Sequence, residues 1–444
     1  MTAPAQSDIT VGRVARIALP VVLSNATVPL QGAIDTAVIG NQGSEVLLAA
    51  VVLGATAVAL LFNLFNFLQM GASGLTAQAH GEGNPRRVVN TLWRALVWAG
   101  AIAVLLLAFN GPVAAAVLMV FDGSAEAEAL AATYIRLRFL GAPAELATYA
   151  LIGWFTGQEL TRRLFEMQVV TSLVNIALNL IFVLGLGWGV EGVALATVIG
   201  AWCGLGIGLW RLRARLGALM PKGVRLDAAR VLDPGELRQM VALNRDIFIR
   251  TLCLAAGFAW FARLGSQQGD TVLAANGVLM QFVHVSSYAL DGFAIAAEAL
   301  VGQALGARDR RRLRRSVAVT GVAALGLAAL LAAAFSAFAT EIVALFTNVE
   351  AVRETARAYV LWATLLPLAG VLAYQLDGVF IGAAEGRRMR NAMILAAGFY
   401  LPLGALLAHG LGNTGVWLAL WLWMGLRGGF LAASFPGIEA RTRP

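Results

Sequence analysis

Asp35, Asn175, Asn179 and Thr197 combine residue types and spacing suited to holding a small hard cation. Asp35 lies a little over one turn inside the end of residues 19–40 (LPVVLSNATVPLQGAIDTAVIG), an apolar run long enough to cross a bilayer. A carboxylate there costs several kcal/mol unless it is neutralised, paired or reached by water, so it marks a functional site by default. Asn175 and Asn179 are four apart and share one helix face. Thr197 adds a hydroxyl from the next apolar run. Two asparagines alone serve as glue between helices. With Asp35 they make a set of oxygen donors suited to a proton, a hydronium or Na⁺.

A second group of polar residues interrupts the apolar runs of the other half. Asp291 and Glu298 are seven apart on one face, and Asp377 sits mid-run in LAYQLDGVFIG. Asp291 and Asp377 are expected to line a cleft and attract cations, with Asn66 as a further polar member. Glu298 either joins them or pairs with an arginine near the inner surface. Phe62, Phe65 and Trp260 are expected to supply aromatic walls for contacts of low selectivity. His80 and His284 have no ligand spacing and are read as structural. Cys203 and Cys253 lie in apolar runs without partner spacing, which argues against a disulfide or a metal site. No Walker loop and no paired-acid constellation occurs, so neither ATP-driven work nor an enzyme is expected, and no cofactor.

These residues need a membrane-embedded frame to position them. Hydrophobic residues make up 59% of the chain and charged ones 13%, and the mean hydropathy is +0.75. That composition describes an all-α polytopic membrane protein. About twelve spans are read, near 14–40, 46–79, 91–120, 133–157, 165–186 and 191–212, then 239–265, 271–304, 316–346, 357–383, 390–410 and 413–435. No short apolar core with a small-residue cleavage site precedes the first, so no cleaved leader is expected. The connections at 41–45, 122–128, 185–191, 269–270 and 410–413 are poor in arginine, and 347–357 is the exception. The alternate set is basic: Arg86-Arg87, Arg162-Arg163, 211–238, 308–315 and Arg387-Arg388-Arg390. By the positive-inside rule the basic set and both termini are cytoplasmic. The net charge of +8 is therefore spread over the inner loops, which suits anionic lipid head groups and argues against a nucleic-acid partner.

The chain also repeats itself. Gln78-Ala79-His80-Gly81 matches Gln303-Ala304-Leu305-Gly306, an offset of 225 (303 − 78). The same offset carries Ile39-Gly40 to Leu264-Gly265, Tyr134 to Tyr359, Gly157 to Gly382, and Gly185-Leu186-Gly187 to Gly410-Leu411-Gly412. One register held across six spans means a tandem duplication. A lobe at 1–212 and a lobe at 239–444 are expected, joined by a cytoplasmic linker at 213–238 containing a surface helix. An even number of spans per copy makes the copies parallel repeats, the plan of a transporter. The copies differ where it matters: Asp35 aligns with Trp260, Asn66 with Asp291, and Ser73 with Glu298.

LPVVLSNATVPLQGAIDTAVIG, YALDGFAIAAEALVGQALGARD, LDGVFIGAAEG and GVEGVALATVIGAW resemble the multidrug and toxic compound extrusion family, in its DinF-like branch. The resemblance covers nearly the whole chain. It implies two six-helix bundles around a V-shaped central cleft and a secondary antiporter of a bacterial inner membrane; a duplicated chain needs no partner to form that cleft, so a monomer is expected. Amphipathic, cationic drugs or toxins would leave as H⁺ or Na⁺ enters. It maps the coupling acid onto Asp35, helix bending onto Pro20, and the cation site onto Asp35, Asn175, Asn179 and Thr197. Asn179 departs from the branch, which commonly carries an aspartate there. One carboxylate fewer weakens a Na⁺ site, so the expected coupling is by H⁺ through protonation of Asp35. The alternatives are Na⁺ coupling and a lipid-linked precursor flippase of the same superfamily.

Overall fold

The computed structural model describes residues 9–40, 44–119, 124–220 and 231–442, and these are helical with no strand. The first copy contains α1 (Val11–Gly40), α2 (Glu45–Leu64), α3 (Phe67–Gly81), α4 (Pro85–Ala108), α5 (Asn110–Leu118), α6 (Ala125–Arg138), α7 (Ala142–Gly157), α8 (Thr161–Asn179) and α9 (Gly189–Leu219). The second contains α10 (Pro234–Ser266), α11 (Asp270–Gly306), α12 (Arg310–Ala337), α13 (Ala339–Phe346), α14 (Glu350–Gly382), α15 (Gly386–Leu411) and α16 (Asn413–Glu439). Among the described residues, eleven helical segments are long and apolar enough to cross a membrane. The expected span near 133–157 is not one of them. It is split into α6 and α7 by a 3₁₀ turn at Phe139–Gly141, and it carries Arg136, Arg138 and Glu145.

The duplication is visible in the backbone. Shifted by 225, the stretch from Glu45 to Gly81 falls on Asp270–Gly306, and that from Ala125 to Gly157 falls on Glu350–Gly382. Helix starts repeat too. Asn84 caps α4 by accepting from Arg87 N at 3.1 Å, and its counterpart Asp309 caps α12 by accepting from Arg312 N at 2.9 Å. Left-handed turn residues recur at the same offset, Gly83 with Arg308 and Glu159 with Ala384.

Glycines set the central crossing of each copy. A Cβ on Gly153 or Gly378 would collide with the carbonyl of Gln69 or Ala294, and one on Gly382 with that of Glu298. Only glycine lets these backbones touch, α7 on α3 and α14 on α11.

The copies differ in continuity. The expected single helix over 46–79 breaks at Phe65 and Asn66, whose amides bond back to Phe62 O at 2.9 Å and Asn63 O at 3.2 Å. Asparagine at 63 and 66 is a poor helix former, which suits the turn. α11 runs through the equivalent position unbroken. α8 passes into a π-helical turn at Leu180–Gly185, whereas α15 continues. α1 is helical across both Pro20 and Pro29.

Two compact units result. The amino-terminal unit comprises Leu23–His80 and Asn84–Met240, and its core includes Phe62, Tyr134, Phe139 and Leu146. The carboxy-terminal unit comprises Val241–Pro444 with Gly81–Gly83 and the chain up to Val22. Its core is built on Trp417, Trp423, Tyr400 and Phe282. Copy and unit therefore part company at the start of the chain. Residues 9–22, in the first copy by sequence, pack with the carboxy-terminal unit, where Ala18 and Val22 meet Gly292. The start of α10 belongs to the amino-terminal unit. There Arg94 donates to Val231 O at 2.9 Å and pairs with Glu236 at 3.2 Å. Of the linker expected at 213–238 with its surface helix, 221–230 lie outside the described residues, while α9 extends to Leu219 and α10 begins at Pro234.

Candidate cation site

The amino-terminal unit brings Asp35, Asn175, Asn179 and Thr197 together. Asn179 Nδ2 donates to Asp35 Oδ1 at 2.6 Å and to Asn175 Oδ1 at 3.2 Å. Asn175 Nδ2 donates to Thr197 Oγ1 at 3.0 Å, and that hydroxyl donates to Val193 O at 3.0 Å. Asn175 and Asn179 are fully buried, Thr197 nearly so, and Asp35 is half-buried. One turn along α1 from Asp35, Gln31 accepts from Ser172 Oγ at 3.4 Å. The four residues form a polar file crossing α1, α8 and α9, with a single carboxylate at its end. Asn179 Oδ1 is buried and has no hydrogen-bond partner among the described residues.

Local sequence explains how the file is held. A Cβ on Gly200 would lie 2.8 Å from Thr171 O and 3.3 Å from Asn175 Cβ, so glycine lets α9 press against α8 where Asn175 meets Thr197. Asn179 is the last residue before the π-helical turn, a form of backbone frequent at functional sites. Gly200→Val is expected to cost about 1–3 kcal/mol by overpacking and to part Asn175 from Thr197. Thermal melting with a transport assay checks this; an unshifted melt with intact transport would contradict the packing account.

Three further residues of α6 and α7, in the same unit, form a cluster that the sequence reading did not single out. The Tyr134 ring is buried and packs on Gly54. Arg138 Nη1 is 2.6 Å from Glu145 Oε1, an ion pair that spans the 3₁₀ turn. Asp35 lies within the field of Arg138. The available signal was two opposite charges seven apart inside an apolar run.

The second polar group is arranged differently from expectation. Asp377 does not present a bare carboxylate. Its Oδ2 takes Arg250 at 2.5 Å and Arg427 at 3.0 Å, and all three residues are buried. Two guanidiniums on one carboxylate leave no negative charge to attract a cation. Trp260 is half-buried, with Gly404 against its indole edge and Arg263 over its ring. Phe62 is core, 3% exposed, and Phe65 packs against the core edge-on to Phe62. Asn66 sits in the turn between α2 and α3, whereas its counterpart Asp291 is half-buried within continuous α11. Glu298 is buried on α11. Tyr374 OH and Ser287 Oγ are 2.5 Å apart, in the neighbourhood of Asp291, Asp377 and Arg427. His80 is half-buried and His284 exposed, and Cys203 and Cys253 are free thiols.

Comparison with known proteins bears on the whole chain. The MatE family model matches it twice, at residues 20–181 and 247–406, once in each copy. The chain is 40% identical over 422 residues to the DNA damage-inducible protein F of Escherichia coli (strain K12), covering 94% of this chain and 90% of that protein. It is 29% identical over 451 residues to a probable multidrug resistance protein NorM of Deinococcus radiodurans, covering 95% and 94%. Its fold matches an outward-facing structure of a multidrug resistance MATE family transporter of the MOP superfamily. The TM-score is 0.86 at 18% identity, over 97% of this chain and 96% of that one.

Proposed function

The chain belongs to the MatE family of multi-pass membrane transporters, and from that premise we propose that it is a proton-coupled exporter of amphipathic, cationic small molecules. The observation that carries the coupling ion is the state of Asn179. Both of its Nδ2 hydrogens are engaged, by Asp35 and Asn175, while its buried Oδ1 lacks a donor. A buried acceptor without a partner is costly. Protonated Asp35 would supply that donor: its O–H turns to Asn179 Oδ1 while Asn179 Nδ2 continues to donate to Asp35 Oδ1. The acid and amide then form a closed pair, and the charge on α1 is gone.

In this reading a proton from outside neutralises Asp35, α1 repacks with bending at Pro20, and affinity for the exported cation falls. The ordering follows from linkage, since an ion can shift the two-state equilibrium only by binding one state better. Export would run across the inner membrane of a bacterium by a monomer with both termini cytoplasmic, the arginine-rich loops facing anionic lipid. Na⁺ coupling is the second reading, because Asn179 Oδ1 and Asp35 are also Na⁺ donors. A flippase for lipid-linked precursors is the third.

Proteoliposomes holding a fluorescent lipophilic cation separate these readings. Efflux driven by a pH gradient and indifferent to a Na⁺ gradient is the expected result. Efflux driven by Na⁺ alone would replace the proton with Na⁺. No dye movement under either gradient would favour the flippase.

A further inference from the structure

Several arginines of the basic turns are matched by carboxylates. Arg310 and Arg314 close on Glu439, Arg245 and Arg390 on Asp246, and Arg388 and Arg441 on Glu385. One corner of the amino-terminal unit is built differently, where the turn between α7 and α8 meets the end of α9. We propose that this corner binds the phosphate of an anionic phospholipid, with Arg163 and Arg215 as the residues that hold it.

The contacts separate two kinds of arginine. Glu166 of α8 takes Arg211 Nε of α9 at 2.8 Å and Arg162 Nε at 3.5 Å, so those two guanidiniums share one carboxylate. Arg163 and Arg215 are half-buried, and among the described residues neither makes an ion pair. Arg163 Nη1 donates to Arg211 O at 3.2 Å, and its guanidinium lies over the Phe155 ring. Arg215 is one turn beyond Arg211 on the same face of α9, and its Nε donates to Gln158 Oε1 at 2.9 Å. Both acceptors are neutral, so each arginine keeps its charge and most of its five N–H donors. With Glu159 in the turn, four guanidiniums stand against two carboxylates. The second copy lacks this arrangement. Shifted by 225, Arg211 and Arg215 fall on Pro436 and Ala440, and Arg388, the counterpart of Arg163, is taken by Ser434 O and Glu385.

Helix length puts the corner at the level of lipid phosphates. α9 has 31 residues, and a crossing of about 20 residues that begins at Gly189 is complete near Leu209. Trp210 to Arg215 therefore stand in the head-group layer. Counted back from Gly185, a crossing of about 20 residues ends near Glu166, which leaves Arg162 and Arg163 at the same level. Trp210 is 61% exposed, Leu209 beside it is exposed too, and Arg211 lies over the indole at 4.4 Å. An exposed indole at the end of a crossing sits among head groups and glycerol backbones. A soluble phosphate would use the guanidiniums and leave Trp210 and Leu209 bare. A phospholipid uses both, since its phosphate meets the planar forks of Arg163 and Arg215 while its glycerol and first methylenes cover the apolar pair. Basic pockets between spans are where anionic head groups bind.

Native mass spectrometry of the purified full chain, titrated with phosphatidylglycerol, phosphatidylcholine or inorganic phosphate, reads the site directly. Wild type is expected to retain phosphatidylglycerol in preference to phosphatidylcholine, and inorganic phosphate should not displace it. Arg163→Gln with Arg215→Gln leaves the Glu166 pairs in place and should weaken phosphatidylglycerol about thirtyfold, at about fivefold for each arginine near a head group. Arg311→Gln with Arg387→Gln removes as many exposed charges from basic turns of the carboxy-terminal unit and should leave that affinity unchanged. Equal losses in the two double variants would mean diffuse attraction to surface charge and would overturn the inference. Displacement by inorganic phosphate at equal concentration would overturn it in favour of a soluble anion. If the Arg163 and Arg215 double variant does not fold, Trp210→Ala, a change at an exposed position, decides instead. It should weaken the lipid and spare inorganic phosphate, and undiminished lipid retention would sink the proposal.

Discussion

Asp35→Asn is expected to abolish gradient-driven efflux, with a loss of about a hundredfold or more, and to leave the fold intact. An exporter is driven only by the difference in ion affinity between its two states, and a large population shift needs a correspondingly large difference. The amide at position 35 cannot gain or lose a proton, so that difference vanishes. It can still accept from Asn179 Nδ2, and it can donate to the Asn179 Oδ1 that has no partner in the wild-type structure. The variant would therefore resemble the neutral state permanently, and its melting temperature should equal or exceed that of wild type. Dye efflux in proteoliposomes and thermal melting in detergent read the two halves. Persistent efflux under a pH gradient would remove Asp35 from the coupling step.

Asp377→Asn is expected to do the reverse, damaging stability first. Arg250 from α10 and Arg427 from α16 both close on Asp377 of α14, all three within the carboxy-terminal unit. Breaking a buried ion pair from one side costs about 3–5 kcal/mol, because the remaining charge stays buried without compensation. Here two guanidiniums would be stranded. Arg427 has Trp423 under its guanidinium and Met424 Sδ at 3.2 Å, and neither replaces a carboxylate. The melting temperature should fall by many degrees. Adding Arg250→Met to Asp377→Asn should recover part of the loss, a coupling that a double-mutant cycle measures. If Asp377→Asn melts like wild type and alters only transport, the cluster is not the structural pin described here, and the cleft role first expected for Asp377 returns.

Much of this architecture was legible in the chain. Apolar runs of bilayer length and a register of 225 are local or periodic signals, and the helix ends follow that register closely. The file at Asp35 was legible for a similar reason. A carboxylate in an apolar run is conspicuous, and Asn175 and Asn179 share a helix face by spacing alone. Asp377 was misread because its partners, Arg250 and Arg427, lie 127 and 50 residues away, and their meeting depends on helix rotations that no local pattern encodes. Phe62 failed for a related reason: an aromatic on an apolar helix looks the same from sequence whether it faces a cavity or a neighbour. Arg138 and Glu145 were missed although Gly141 and Pro143, the latter in the first turn of α7, mark the interruption at Phe139–Gly141 that lets them pair.

The breaks between α2 and α3 and between α6 and α7, with the π-helical turn after α8, all fall in the first copy, while α11, α14 and α15 run through the corresponding places. Each break removes regular amide-to-carbonyl bonds from a helix, so the two copies should differ sharply in how fast backbone amides trade hydrogen for deuterium. Fast exchange should cluster around Phe65–Asn66, Phe139–Gly141 and Leu180–Gly185, and their counterparts 225 residues later should exchange slowly. A duplicated ancestor would then have divided labour through backbone regularity, one copy remaining a stiff reference while the other acquired joints around its acid.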